Sequence, residues 1–183
     1  MSEEQLIKEI KAHKESFGKI YDLHYQAIFN YCYRRTSSFD NAKDITSETF
    51  LKAYLNIDTF KWKGIPIINW LYRIATNEIN LYFRSASYRP KFLNEVYKEI
   101  LHYKNPTSLD EEREKAELEL KRHNQFLAVQ KALKELPVKY QDVISLKYFE
   151  KLKIKEISIV LNKKEGTIKS LLSRGISKLK DKL

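Results

Sequence analysis

The chain has few of the features that stabilise disulfide-linked or membrane-spanning proteins. Its one cysteine, Cys32, has no second cysteine to pair with, so a fold held by internal disulfides is excluded. No apolar run approaches the ~20 residues that a helix needs to cross a bilayer, and we expect no direct membrane insertion. The N-terminus also lacks the basic and then apolar order of a secretory signal. The sequence therefore predicts a cytoplasmic protein.

Residues that interrupt regular structure are equally scarce, with 4 glycines and 4 prolines among 183 residues. Apolar residues recur at steps of three and four, without an alternating strand pattern, so we predict an all-α protein. The predicted helices of the first half are Leu6–Lys14, Phe17–Arg35, Asn41–Leu55 and Ile68–Phe83. Beyond these helices the periodicity weakens, and it resumes only near Phe126. We therefore predict two small helical domains, residues 1–88 and 124–183, joined by a linker over 89–123.

Enzymatic and metal-binding patterns are absent from the sequence. The four histidines show no metal-ligand spacing with one another or with Cys32. No glycine-rich loop that could cradle a phosphate occurs either. The sequence therefore predicts a protein that is not an enzyme, with no catalytic residue, no cofactor and no metal.

Positive charge is abundant, with a formal net charge of +10 and an isoelectric point near 9.4. From Gln125 to Leu183 there are fourteen Lys or Arg and six Asp or Glu, so +8 of the net charge lies in the C-terminal third. A polyanionic partner, either nucleic acid or an anionic membrane, is the expectation.

The segment Lys153–Lys180 has the pattern of two short helices around a polar turn, with the second helix opening at Gly166 and Thr167. One face of the second helix is apolar: Ile168, Leu171, Leu172, Ile176 and Leu179. Small polar side chains and cations occupy the opposite face, as a recognition helix in a DNA major groove requires. The candidate duplex contacts are Lys163, Lys164, Thr167, Lys169, Ser170, Ser173, Arg174 and Ser177. The alternative is a basic, solvated surface helix.

A family resemblance becomes specific from Ala132 to Lys180. The string ALKELPVKYQDVISLKYFEKLKIKEISIVLNKKEGTIKSLLSRGISKLK closely resembles region four of bacterial extracytoplasmic-function sigma factors, which reads the minus-thirty-five element. The matching pieces are Leu136-Pro137, Tyr148 to Leu152, Glu156-Ile157 and Gly166 to Ser170. Leu171 stands where the family often has arginine.

The stretch AKDITSETFLKAY, Ala42 to Tyr54, resembles the region two helix with which that group docks on the polymerase clamp. Carboxylates one helical turn apart suit a basic or hydrogen-bonding partner helix, although an ordinary solvated face is the alternative. The candidate polymerase contacts are Asp44, Ser47, Glu48, Phe50 and Leu51. The family often has glutamine at the position of Ser47 and glutamate at that of Lys43.

The stretch Trp70 to Asn77, WLYRIATN, resembles the family signature WLYRIARN. It follows a basic, aromatic loop, and such loops can stack extruded bases while their cations hold the backbone. The candidate minus-ten contacts are Lys61, Trp62, Lys63, Tyr72, Arg73, Asn77, Asn80 and Arg84; for Trp62, burial in the core is the alternative. Asn80 stands where the family usually has aspartate. We assign Trp70, Leu71, Ile74 and Leu81 to the core.

The resemblance implies an alternative sigma factor whose partners are core RNA polymerase and promoter DNA. The N-terminal domain would bind the β′ clamp and the minus-ten element, and the C-terminal domain would bind the β flap and the minus-thirty-five element. An anti-sigma factor, often membrane-anchored in this group, is a further expected partner. Two alternatives remain open: a conventional helix-turn-helix repressor or activator that binds a duplex without polymerase, and, less favoured, a basic protein of membrane surfaces.

Overall fold

The computed structural model describes residues 2–62, 64–84 and 127–183. Lys63 and the predicted linker over 89–123 lie outside the described residues. The described helices are α1 Glu3–Ala12, α2 Gly18–Thr36, α3 Phe39–Asn56, α4 Ile67–Arg84, α5 over 127–134, α6 Val138–Ile144, α7 Ile154–Val160 and α8 Glu165–Lys180. Two short 3₁₀ turns and one π-helical turn, Ser145–Phe149, supplement them. The described part of the chain has no strand, and the prediction of an all-α protein is confirmed.

The predicted boundaries of the four N-terminal helices all differ from the observed ones by one to three residues, and the first helix begins at Glu3 rather than Leu6. The first helix ends at Ala12 rather than Lys14, because Lys14 begins a 3₁₀ turn. The last helix begins at Glu165, one residue before the predicted start, and its N-cap is Lys164 in extended backbone. Thr167 is already inside the first turn, since its backbone N–H donates to the Lys164 carbonyl at 2.9 Å.

The N-terminal domain is built on α2, α3 and α4, which pack against one another, and α1 packs on the 3₁₀ turns Lys14–Phe17 and Ile57–Thr59. Ile28 of α2 and both Leu71 and Ile79 of α4 are fully buried between the helices. The hydroxyl groups of Tyr31 and Thr76 lie 2.9 Å apart and join α2 to α4 inside this core. The Thr76 hydroxyl also donates to the Tyr72 carbonyl at 2.7 Å, so this buried pair is hydrogen-bonded, as polar groups inside an apolar core usually are.

The C-terminal domain packs α8 against α6 and α7. Asn162 has a left-handed backbone with φ of 52°, which ends α7 and reverses the chain. The backbone N–H of Lys163 closes this turn by donating to the Ser158 carbonyl at 2.9 Å. Gly175 lies where α8 meets α6, and a Cβ there would come within 3.1 Å of the Ile144 side chain. The predicted helix-turn-helix is therefore present.

The two domains also contact each other, with α7 of the C-terminal domain packed on α4 of the N-terminal domain. The buried residues form one continuous cluster that includes members of both domains.

Over the described ranges, no helix is both long enough and apolar enough to cross a membrane.

Candidate nucleic-acid and polymerase interfaces

The recognition helix α8 turns one face inward and leaves the other free. Ile168 and Leu172 are buried against the rest of the domain, and Leu171 is half-buried against the same core. Seven of the eight candidate duplex contacts on or before this helix are exposed, and the eighth, Ser170, is half-buried. The exposed candidates are Lys163, Lys164, Thr167, Lys169, Ser173, Arg174 and Ser177. The Arg174 Nη2 donates to the Ser170 Oγ at 2.6 Å, so the guanidinium lies along the exposed face.

The second candidate surface follows α4. Arg73, Asn77, Asn80 and Arg84 share one face because they are spaced four, three and four residues apart. Arg73, Asn77 and Arg84 are exposed, whereas Asn80 is half-buried and bonded to the C-terminal domain. Tyr72 lies beside this stripe and is buried. Burial raises the pKa of the Tyr72 phenol well above its usual range, and the neighbouring Glu150 carboxylate raises it further.

The basic, aromatic loop before α4 forms one wall of a cleft of about 320 Å³. Lys61 and Arg73 line this cleft together with the rings of Phe60 and Trp70, whose centroids are 4.9 Å apart. Trp62 does not line it: the indole is half-buried and packs on the core. The structure therefore makes Trp70, which the sequence assigned to the core, the tryptophan of the cleft.

Helix α1 holds this loop in place, a role that sequence patterns did not indicate. The Lys11 Nζ donates to the Phe60 carbonyl at 2.5 Å. The Glu3 carboxylate accepts the first backbone N–H of α4, from Ile67, at 2.6 Å. A carboxylate at a helix N-terminus satisfies a free donor and complements the helix dipole. The start of α4 and the loop are thus fixed from one neighbouring helix.

The third candidate surface lies on α3. Asp44 and Ser47 are exposed, Glu48 is half-buried and Leu51 is 51% exposed, so these four form an outward stripe. Phe50 is only 4% exposed, because it lies about 100° around the helix from Leu51 and packs on the ring of Tyr21. The exposed Leu55 continues the stripe in place of Phe50.

A cleft of about 310 Å³ separates α3 from α4 beside that stripe. Asp44 and Glu48 line it from α3, and Glu78 and Leu81 line it from α4. The assignment of Leu81 to the core was wrong, since its side chain is 59% exposed. The Lys52 Nζ lies 2.7 Å from the Glu78 carboxylate and 3.3 Å from that of Glu48, which partly neutralises this acidic edge.

Comparison with known proteins identifies both halves of the molecule. The model of Sigma-70 region 2 matches residues 20–89, and the model of Sigma-70, region 4 matches residues 126–179. The ECF RNA polymerase sigma factor SigW of Bacillus subtilis (strain 168) is 32% identical over 182 residues, which cover 97% of this chain and 94% of SigW. The chain belongs to the extracytoplasmic-function group of sigma-70 family sigma factors.

Further relatives of this sigma factor agree with that assignment. The RNA polymerase sigma factor YlaC of Bacillus subtilis (strain 168) is 30% identical, with 92% of each chain covered. Among solved structures, CnrH in complex with the cytosolic domain of CnrY has a TM-score of 0.66 at 20% identity, over 98% of this chain and 95% of that one. The sigma factor RpoE in complex with the anti-sigma factor NepR, from Bartonella quintana, has a TM-score of 0.63 at 22% identity, over 91% and 96%. At such identities the two structures show the shared fold.

Membership of this family decides between the alternatives that the sequence left open. The protein is an alternative RNA polymerase sigma factor that directs promoter-specific transcription initiation, and a conventional repressor or activator is not favoured. The helix-turn-helix alone did not make that distinction, because both classes of protein place a recognition helix in the major groove.

Proposed function

We propose that the exposed face of α8 reads the minus-thirty-five element, and that the stripe on α4 and the adjoining cleft hold the melted non-template strand of the minus-ten element. This proposal rests on the difference between the two faces of α8. Cations and serines such as Lys169, Ser173 and Arg174 are exposed on one face, whereas Ile168 and Leu172 are buried on the other. On this proposal the domains are residues 1–88 and 124–183, joined by a linker over 89–123.

In the duplex contact, cations supply affinity and short side chains allow close approach. Arg174 and Lys169 would reach phosphates or guanine edges, while Ser173 and Ser177 let the helix lie deep in the groove. Lys163 and Lys164 lie at the turn before α8 and would hold the backbone. Because phosphate contacts release counterions, we expect binding to weaken steeply as salt rises.

In the minus-ten contact, the cleft beside α4 would take an extruded base. Phe60 and Trp70 line it with aromatic rings, and stacking on an aromatic ring contributes about 1–3 kcal/mol per base. Lys61 and Arg73 line the same cleft and would hold the neighbouring phosphates. Capture of bases that are free only in melted DNA shifts the closed complex toward the open one without a catalytic residue. We accordingly propose that the protein is not an enzyme.

The partners follow from the same surfaces. We assign the β′ clamp of core RNA polymerase to the stripe of Asp44, Ser47, Glu48 and Leu51 on α3, and the β flap to the C-terminal domain. Each domain would bind DNA weakly by itself and more tightly once polymerase holds both in place, because the second contact becomes intramolecular. We further propose cytoplasmic localisation and control by an anti-sigma factor, the kind of partner that the RpoE–NepR structure contains.

Run-off transcription tests this proposal. Bacterial core polymerase is supplied with genomic fragments from the host, with and without the purified chain. Discrete start sites that require the chain, and that weaken in Arg174→Ala and Arg73→Ala, are expected. Lys8→Ala, which removes one exposed cation from α1, is the control and should transcribe normally. Run-off transcription that is unchanged by both arginine substitutions would contradict the assignment of the two surfaces.

A further inference from the structure

The loop before α4 is held at both of its ends by side chains of α1. At the front end, the Lys11 Nζ donates to the carbonyls of Asp58 at 3.1 Å and Phe60 at 2.5 Å. At the rear end, the Glu3 carboxylate accepts the backbone N–H of Ile67 at 2.6 Å. Glu3 and Lys11 are eight residues apart, so they lie about 12 Å apart along α1 and within about 80° of each other around it. One helix therefore spans the two ends of the loop.

The backbone between these two anchors bends at Gly64. Its φ of 68° lies in the left-handed region, which glycine adopts without strain. Glycine also has the most backbone freedom to lose, so a loop without anchors would sample many arrangements. Trp62 packs on the core, whereas Lys61, Gly64 and Pro66 around it are exposed. Trp62 therefore holds the middle of the loop, and the placement of its two ends depends on α1.

The anchored ends carry the two aromatic rings of the cleft. Lys11 bonds the carbonyl of Phe60 itself, and Glu3 fixes the first turn of α4, in which Trp70 lies three residues after Ile67. The two ring centroids are 4.9 Å apart, with 41° between the ring planes. A change in the separation of the loop ends would move one ring relative to the other. A binding site keeps its affinity only while its groups are held close to the productive geometry.

The attachment of α1 to the domain has a separate, apolar basis. Leu6, Ile7 and Ile10 are buried in the core and hold the helix there. Glu3 and Lys11 are half-buried at the edge of this contact, where polar contacts contribute little to overall stability. The main consequence of these two side chains is therefore geometric, since they fix the loop rather than the helix.

We propose that Glu3 and Lys11 are positioning residues for the minus-ten contact, because together they set Phe60 against Trp70 before DNA arrives. The loop then loses less conformational freedom when a base enters the cleft. The apparent affinity for the extruded base rises with the fraction of molecules already in the binding geometry. The inference rests on the proposed function in assigning an extruded base to this cleft. It makes promoter opening depend on α1, a helix that carries none of the candidate site residues.

Polymerase holoenzyme reconstituted with the full-length chain tests the proposal. The probe is a fluorescein-labelled single strand that carries the non-template minus-ten element of a start site found by run-off transcription. Lys11→Met removes the donor but keeps the alkyl stem, and Glu3→Ala removes the acceptor. Each should weaken binding of the strand about threefold to tenfold, with the affinity for core polymerase unchanged. Lys11→Arg and Glu3→Gln retain a donor and an acceptor, so each should restore most of the binding.

The same helix supplies the matched controls. Lys8→Met and Glu4→Ala remove the same charges from α1, where Glu4 and Lys8 pair with each other at 2.9 Å on the exposed side. Glu4 lies with Glu3 in the first turn, so Glu4→Ala also matches any change at the helix dipole. Both control variants should bind the strand as the parent does.

Amide hydrogen exchange of the free chain measures the anchors without DNA. The Ile67 amide in Glu3→Ala, and the amides from Ile57 to Trp62 in Lys11→Met, should exchange about tenfold faster than in the parent, because local opening exposes them. The two control variants should exchange at the parental rate. Circular dichroism checks that each variant remains helical, and either anchor tests the proposal by itself if the variant of the other does not fold.

Three outcomes would overturn the proposal. The first is strand binding that is unchanged in both Lys11→Met and Glu3→Ala. The second is an equal loss in Lys8→Met and Glu4→Ala, which would show that only the charge of α1 acts. The third is an equally large loss of affinity for core polymerase, which would show that α1 serves the fold as a whole. Failure of run-off transcription would instead refute the proposed function, and hydrogen exchange would still decide whether α1 orders the loop.

Discussion

The Arg174 guanidinium donates to the Ser170 hydroxyl at 2.6 Å, one turn earlier on the exposed face of α8. This bond limits the positions that the longest side chain of the face can take before DNA arrives. An arginine held in this way loses less conformational freedom on binding than a free one.

Arg174→Ala should weaken binding of the polymerase holoenzyme to a minus-thirty-five duplex by about 1–3 kcal/mol, the usual contribution of a good arginine–base contact. Ser170→Ala should cost less, because it frees the guanidinium without removing its charge. Fluorescence anisotropy with a labelled promoter measures both. Lys180→Ala, at the far end of α8, removes an equal charge. An equal loss of duplex binding in that variant would show that Arg174 acts only through its contribution to net charge.

Gly175→Val should lower the free energy of unfolding by about 1–3 kcal/mol, the typical cost of overpacking. A Cβ at this position would lie 3.1 Å from the Ile144 side chain and 3.3 Å from that of Tyr140. Gly166→Ala is the control, because a Cβ there meets nothing within 4 Å. Urea denaturation followed by circular dichroism compares the two. Equal stabilities would show that α6 and α8 are loosely packed.

Tyr31→Phe should destabilise the N-terminal domain by about 0.5–1.5 kcal/mol, the net contribution of one hydrogen bond. The substitution removes the 2.9 Å contact with Thr76, whose hydroxyl keeps its donation to the Tyr72 carbonyl at 2.7 Å. Tyr148→Phe is the matched control, since Tyr148 is exposed. Thermal unfolding of both variants measures the difference, and no difference would mean that the buried hydroxyl pair contributes nothing.

Cys32 should resist alkylation until the protein unfolds. Burial raises the pKa of its thiol to about 12, so the reactive thiolate is almost absent near neutral pH. The neutral thiol is favoured by folding, and this contribution to stability is present below pH 9.0 and lost as pH rises toward 12. Iodoacetamide labelling followed by mass spectrometry, with and without urea, checks the prediction. Rapid labelling of the native chain would contradict the burial.

His24 should make the protein less stable in mild acid. Its Nε2 is buried without a partner in the described part of the chain, and burial lowers its pKa below 6.5. The unfolded chain therefore binds the proton first as pH falls through 6.5, so the free energy of unfolding decreases. His24→Gln should flatten this decrease, and His13→Gln, at an exposed site, should not. Urea titrations above and below pH 6.5 measure it; equal slopes in all three proteins would contradict the prediction.

Helix periodicity predicted the exposed face of α8 correctly because a long amphipathic helix on a small domain has only one way to bury its apolar side. It was less successful on α3 and α4, which are covered by neighbours on more than one side. Phe50, offered as a polymerase contact, lies in the core, whereas Leu81, offered as core, is exposed. No pattern in the sequence distinguishes an apolar residue that meets a neighbouring helix from one that meets a partner protein.

The sequence by itself determined the helical class, the helix-turn-helix and the family, because these depend on local periodicity and on contiguous strings such as WLYRIATN. The tertiary structure decided which aromatic side chain lines the cleft, how α1 fixes the loop before α4, and which carboxylates meet Arg34 and Arg35. The last of these pairings joins residues 107 positions apart, from Arg35 to Asp142. Contacts at such separation depend on how whole helices pack, and packing is set by the shapes of all the helices together rather than by any local segment.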